Sequence, residues 1–193
     1  MRVVAGSARG RRLRSPDGEN TRPTTDRVRE AVFNALHSQG LVVGARIADL
    51  FAGSGALGIE ALSRGAAHVW FVERDRDARS VIDDNLDTLG FRERATVLDA
   101  DATVVSGALG DGLDVVLADP PYTFDAWPAL LSSVRPRLAN HGVVVAEAGG
   151  SIAVPAGWEK MRERTYGGTV ITFVTPPGDD RPQPPDDVPG AQS

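Results

Sequence analysis

The chain has 193 residues, 41% of them hydrophobic, which suits a single domain with a full core. It contains no cysteine, so disulfide frameworks and cysteine-ligated metals are excluded, and no metal site is expected. No apolar run approaches the roughly 18 residues of a membrane span, and the start lacks the apolar stretch of a signal peptide. A cytoplasmic protein without membrane contact is the expectation.

The net charge of −5 hides an asymmetry. Arg2, Arg9, Arg11, Arg12, Arg14, Arg22, Arg27 and Arg29 face only Asp17, Glu19, Asp26 and Glu30 within residues 1–30, giving +4 there and −9 beyond. A basic arm on an acidic body predicts a polyanionic partner met at one end. Arg2–Gly6 and Arg9–Arg14 read as two short strands or a hairpin. Guanidinium groups this dense stay exposed and suit bidentate phosphate contacts, although a charge run can also be a solvated face.

Thr21–Asp26 reads as a loop leading into a helix over about 25–38, with Thr24 or Thr25 as its cap. Val28, Ala31, Val32, Ala35 and Leu36 form its apolar stripe. From Arg46 the pattern is βαβ. A strand over Ile47–Phe51 meets the glycine-rich turn Ala52–Gly58, and a helix runs to Ser63. A strand over Val69–Val72 ends on Glu73, a helix spans about 76–89, and Ala95–Leu98 is a third strand before Asp99–Asp101. Asp114–Ala118 is the fourth strand. A helix over about 125–138 carries Trp127, Leu130, Leu131, Val134 and Leu138, and Gly142–Glu147 is the fifth strand.

Trp158–Tyr166 and Thr169–Thr175 flank Gly167-Gly168, a favoured hairpin dipeptide. Alternating strands and helices predict an α/β fold, a mostly parallel sheet with an antiparallel terminal hairpin. Three units follow: a basic arm over 1–24, a main domain over 25–176 and a disordered proline-rich tail over 177–193.

The stretch Asp119-Pro120-Pro121-Tyr122 closes the fourth strand, because proline cannot donate to a sheet ladder and fixes φ. The residue before a proline is also forced out of the helical region, so Asp119-Pro120 is a stiff corner. It lies at the carboxyl end of a strand, where open α/β sheets place ligands. Such a corner suits an exocyclic nucleobase amine, whose lone pair is delocalised into the ring. The Asp119 carboxylate and the Pro120 carbonyl can accept its two N–H bonds, while Tyr122 stacks on the base. The plain alternative is a strand end closed by a Pro-Pro turn.

Gly53, Gly55 and Gly58 satisfy the dinucleotide fingerprint, and Glu73 stands where a ribose-binding acid belongs. That pattern alone fits NAD as well as S-adenosylmethionine. Three features favour the second. Asp49 ahead of the loop would repel a pyrophosphate and attract an amino group and a sulfonium. Asp101 can accept from an adenine amine, or alternatively cap a helix over 102–108. No hydride-transfer constellation is evident, whereas Asp119–Tyr122 offers a methyl-acceptor site.

The residues quoted so far carry a resemblance. The motifs Arg2–Leu13, Thr21–Leu36, Asp49–Ala61 and Asp119–Tyr122 make the chain similar to class I methyltransferases acting on nucleobase amines. More narrowly, it resembles the RsmD-type guanine-N2 methyltransferases of 16S ribosomal RNA. The Arg22–Glu30 stretch is the narrow part of that likeness. The resemblance implies a Rossmann-like seven-stranded sheet with helices on both faces. It implies S-adenosylmethionine held by Asp49, Gly53, Gly55, Glu73 and Asp101, with Ala52, Arg74 and Ala102 beside them.

Asp119, Pro120, Pro121 and Tyr122 would hold the guanine, and Arg9, Arg11, Arg12, Arg14, Arg22 and Arg27 the RNA. The implied partner is 16S rRNA in the small subunit or an assembly intermediate, met by a monomer. The tail has no counterpart in that pattern, and the acidic body confines RNA to the arm, residues 21–29 and the pocket mouth. Rival readings are N6-adenine methylation of DNA or RNA, an NAD-dependent oxidoreductase, and a non-catalytic rRNA-binding assembly factor.

Overall fold

The computed structural model describes residues 1–16 and 26–176. Thr21–Thr25 with the two threonine caps, Arg22, and the 177–193 tail lie outside the described residues. The elements run α1 (Asp26–Ser38), β1 (Arg46–Leu50), α2 (Ala56–Ser63), β2 (His68–Glu73), α3 (Arg76–Leu89), β3 (Ala95–Asp99), β4 (Leu113–Ala118), α4 (Trp127–Val134), β5 (Leu138–Ala148), β6 (Glu159–Tyr166) and β7 (Thr169–Thr175). The strands form one seven-stranded sheet in the order β3-β2-β1-β4-β5-β7-β6. Strands β1 to β5 pair in parallel, and β7 pairs antiparallel with both β5 and β6.

Buried on both faces, the central strands read as near-continuous apolar runs. On one face Ile47, Val69, Phe71, Val115, Leu117, Val143 and Val145 pack against α1, α2 and α3. On the other, Ala48, Leu50, Val72, Val116, Val144 and Ala146 pack against α4, with Trp127, Leu130, Leu131 and Val134 inward. Gly58 lets α2 lie close to β2, since a Cβ there would come within 2.3 Å of the Phe71 ring.

Four expectations are corrected. The helix expected to run to 138 stops at Val134, and Arg135–Arg137 make one 3-10 turn. Pro136 is the cause: it lacks the N–H a continuing helix needs, and its ring crowds the preceding turn. Leu138, expected on that helix's stripe, instead opens β5 opposite Leu113, four residues before the expected start at Gly142. Trp158, expected to begin β6, precedes it and is buried in the second core. The fourth is Arg29, placed by sequence in the RNA-facing segment but here fully buried on α1.

Candidate active site and nucleic-acid interface

Strands β1 and β4 are neighbours, with Leu50 opposite Ala118. The chain leaves β1 for α2 and leaves β4 for α4, on opposite faces of the sheet. This is the crevice at the carboxyl edge where such sheets bind ligands. The glycine-rich turn and the Pro-Pro corner therefore start side by side.

The turn is built on backbone that side chains resist. Phe51 has φ 60°, and it is the one non-glycine residue with positive φ among the described residues. Gly53 and Gly55 follow at φ 53° and 77°, and Gly55 caps α2 in the left-handed region. The strain at Phe51 turns its ring toward Phe124, edge-on with centroids 5.4 Å apart. Phe124 in turn meets Trp127 edge-on at 5.2 Å. An aromatic ladder thus locks the loop after β1 to the loop after β4. Sequence reasoning missed it, although aromatics at two strand ends were a visible signal.

Carboxylates gather beneath and beside this turn. Asp49 is 1% exposed and accepts from the Gly58 N–H at 2.8 Å. Burial pushes its pKa up to about 8, helped by the negative charges of Asp119 and Glu73 and opposed by the Gly58 bond. A cation bound nearby would relieve that crowding. Glu73, at the end of β2, accepts from Gly53 N–H and Asp75 N–H, both at 2.8 Å. Two of its lone-pair positions remain for a ligand's hydroxyls. Asp101 accepts from both the hydroxyl and the N–H of Thr103, which holds its carboxyl below the usual range and keeps it an acceptor. The helix considered after it is only a 3-10 turn over Val105–Ala108. Arg74 is exposed, with its guanidinium 3.9 Å from Asp101, and Ala52 and Ala102 are buried against the turn and its flank.

At the corner, Asp119 is half-buried, Pro120 buried, and Pro121 and Tyr122 exposed. The Pro121 carbonyl is taken by the Phe124 N–H at 2.8 Å. That of Pro120 receives no hydrogen bond from the described residues. The Tyr122 hydroxyl is tied to Thr169 on β7 at 2.8 Å, while 48% of the residue is exposed. The ring is thus held at its tip with a face open, as a stacking platform requires.

The basic N-terminal segment is a small hairpin closed by one antiparallel bridge, Arg2 to Arg12. It is bound to α2 by buried polar groups. Glu60 is 0% exposed and accepts from the N–H groups of Val4 at 2.7 Å and Ala5 at 2.9 Å. The same carboxylate meets Arg64 at 2.7 Å and the buried Arg29 at 3.7 Å, and Arg29 donates to the Arg2 carbonyl at 2.5 Å. Ser63 adds bonds to Ala5 and Ala8. Gly6 has φ 81°, and a Cβ there would stand 1.9 Å from the Ser63 carbonyl.

Asn85 on α3, 2% exposed, completes the join. It accepts from Arg14 N–H at 2.9 Å and donates to the carbonyls of Arg14 and Ser54 at 3.1 and 3.2 Å. One amide therefore spans the hairpin and the glycine-rich turn. Arg9, Arg11, Arg12, Arg14 and Arg27 are exposed. Arg14 pairs with Asp84, and Arg11 donates to the Thr88 carbonyl at 3.0 Å. Sequence reasoning took Glu60 and Asn85 for ordinary helix positions.

Among the described residues no group of three or more potential ligand side chains gathers as a metal site, and no helix is long and apolar enough to cross a membrane.

Residues 1–175 match the family model described as Conserved hypothetical protein 95. The chain is 37% identical over 172 residues to "Ribosomal RNA small subunit methyltransferase D" of Escherichia coli (strain K12), spanning 86% of this chain and 85% of that one. It is 39% identical over 181 residues to the YlbH protein of Bacillus subtilis (strain 168), spanning 90% and 97%. Among solved structures, the yhhF protein of Escherichia coli superposes with a TM-score of 0.81 at 34% identity, covering 93% of this chain and 99% of that one.

Proposed function

This chain belongs to the family described as Conserved hypothetical protein 95, the RsmD-type rRNA methyltransferases, and we propose that it methylates the exocyclic N2 amine of one guanine in 16S rRNA, using S-adenosylmethionine. The observation that carries this is the adjacency of two loops. A glycine-rich turn ringed by Asp49, Glu73 and Asp101 opens from β1, and an amine-orienting corner, Asp119–Tyr122, opens from the paired β4.

The donor set fits the proposed methyl donor. Glycines at positive φ let backbone approach a ligand. The burial that raises Asp49, with the charges of Asp119 and Glu73 adding to it, suits a ligand carrying ammonium and sulfonium charges. Glu73 takes the ribose hydroxyls, Asp101 the adenine amine, and Ala52, Arg74 and Ala102 flank them. When bound, S-adenosylmethionine supplies an electrophilic methyl on a positively charged sulfur.

The chain's own work is positioning. Asp119 and the Pro120 carbonyl accept the two N2–H bonds and turn the nitrogen lone pair toward the methyl. Bound there, the donor would release its methyl and keep the bonding electrons on sulfur, and Asp119 would stabilise the positive charge that grows on nitrogen. The surplus proton then leaves through Asp119 to solvent. Tyr122 stacks on a guanine withdrawn from its helix. The hairpin, with Arg9, Arg11, Arg12 and Arg14, and Arg27 on α1 hold phosphates, and Arg22 belongs to the same segment by sequence. Residues 25–176 form the catalytic unit and 1–24 its RNA arm. The protein works in the cytoplasm as a monomer, because one chain holds both sites.

Methyl transfer from labelled S-adenosylmethionine to unmethylated 30S subunits, protein-free 16S rRNA and DNA tests the reading. Label recovered as N2-methylguanosine from an rRNA substrate is expected. N6-methyladenosine would move the chain to adenine methylation, and RNA binding without label would make it an assembly factor.

A further inference from the structure

The edge strand β6 sorts its charges by face. Cross-strand partners in an antiparallel pair project from the same side of the sheet. Arg162 lies opposite Phe173, Arg164 opposite Ile171, and Tyr166 opposite Thr169. Phe173 and Ile171 belong to the core under α1, so these three share the face that carries α1 and the N-terminal hairpin. The other face carries Lys160, Glu163 and Thr165, opposite Val174, Thr172 and Val170. There Lys160 is neutralised by Glu163 at 3.2 Å, and Glu163 is held by Ser151 and Thr172 as well.

Arg162 and Arg164 are exposed, and Arg162 has no carboxylate partner among the described residues. Glu159 shares their face only at the far end of the strand. The row also leads to the site. Tyr166 pairs with Thr169, whose hydroxyl holds Tyr122 at 2.8 Å. From the base platform, Tyr166, Arg164 and Arg162 therefore step away along one strand, about 6.6 Å per alternate residue.

Charged side chains also guard edge strands against pairing with other chains. That role explains the presence of charge on β6 but not its segregation, with a neutralised pair on one face and two arginines on the other. A row of guanidinium groups leading from an aromatic platform is how single-stranded nucleic acid is tracked.

We propose that the stretch of β6 running back from Tyr166 to Arg162, through Arg162 and Arg164, is a second RNA-contact strip that grips phosphates flanking the withdrawn guanine. It rests on the rRNA substrate proposed above. With the hairpin, it places cation on both sides of the mouth, so the RNA is held across the pocket rather than at one end.

The test is binding of protein-free 16S rRNA between 50 and 200 mM salt by the full chain and its variants. Removing both arginines, R162A with R164A, should reduce the salt slope by about 1.4–1.8, two contacts' worth, and weaken binding at least about tenfold at low salt. The melting temperature and S-adenosylmethionine affinity should stay those of the parent. R162K with R164K should restore most of the slope, and K160A, on the other face, should leave it unchanged. An unchanged slope in the double alanine variant, or an equal loss in K160A, overturns the proposal. A parent chain that binds no RNA would instead refute the substrate itself, a distinguishable failure.

Discussion

At the Asp119–Tyr122 corner four consecutive residues carry the geometry, and two prolines set it through their own rings. The basic hairpin reaches the same region through groups 55 to 71 residues distant: Glu60 and Ser63 on α2, and Asn85 on α3. The corner is thus a local device that any strand end could display, whereas the hairpin is a docked one. Its chain is too short to hold shape alone, with one bridge closing it. Chemistry and RNA capture should therefore fail separately, the first without loss of fold and the second through stability.

The largest expected effect tests the docked half. Glu60→Ala would take the carboxylate from Arg64 and from one side of the buried Arg29, which keeps Asp26 at 2.7 Å, and strip two hairpin N–H groups of their acceptor. Breaking such a buried pair costs about 3–5 kcal/mol, so the thermal midpoint should fall by many degrees. Hydrogen exchange should speed first at Val4 and Ala5. An unchanged melting temperature would show that the hairpin is not bound through α2. The corner should answer oppositely. Asp119→Ala should lower turnover by about 10²–10³-fold while the melting temperature and S-adenosylmethionine affinity hold. A fully active variant would remove Asp119 from the orienting role.

The same contrast explains what the sequence disclosed. Strand ends are written locally: Asp119-Pro120-Pro121 stops β4, and the glycines after β1 force the turn, so the two loops of the site were legible. What stayed hidden depended on tertiary partners. Arg29 looked like one more cation in a basic segment, and only Asp26, Glu60 and the Arg2 carbonyl gathered around it make it a buried strut. Asn85 falls inside the helix expected over about 76–89, and nothing in that pattern points to its three hydrogen bonds. Pro136 marks the stop of α4, but the apolar period continues past it to Leu138, so periodicity alone overruns the helix.

A smaller loss should follow from Asn85→Ala, which orphans partly buried backbone groups on both Arg14 and Ser54. About 1–3 kcal/mol of stability is at stake. Because the amide touches both regions, S-adenosylmethionine affinity and RNA affinity should weaken together in this variant. Weakening of one alone would show that the two regions are not joined at this point.

The subtlest expectation is a pH dependence carried by Asp49. Its carboxyl, raised to about 8 in the free chain, is largely protonated at neutral pH. The raised value means the fold favours the proton, so the stability it contributes is full below about 4 and is lost as pH climbs through 8. A ligand bearing positive charge favours the ionised form and must expel that proton on binding. S-adenosylmethionine affinity should then rise by up to about tenfold per pH unit from 6 toward 8 and level off above. Asp49→Asn removes the titration and should flatten the profile across that range. Equal slopes in the parent chain and the variant would mean that the carboxylate crowding beneath the glycine-rich turn does not sense the ligand.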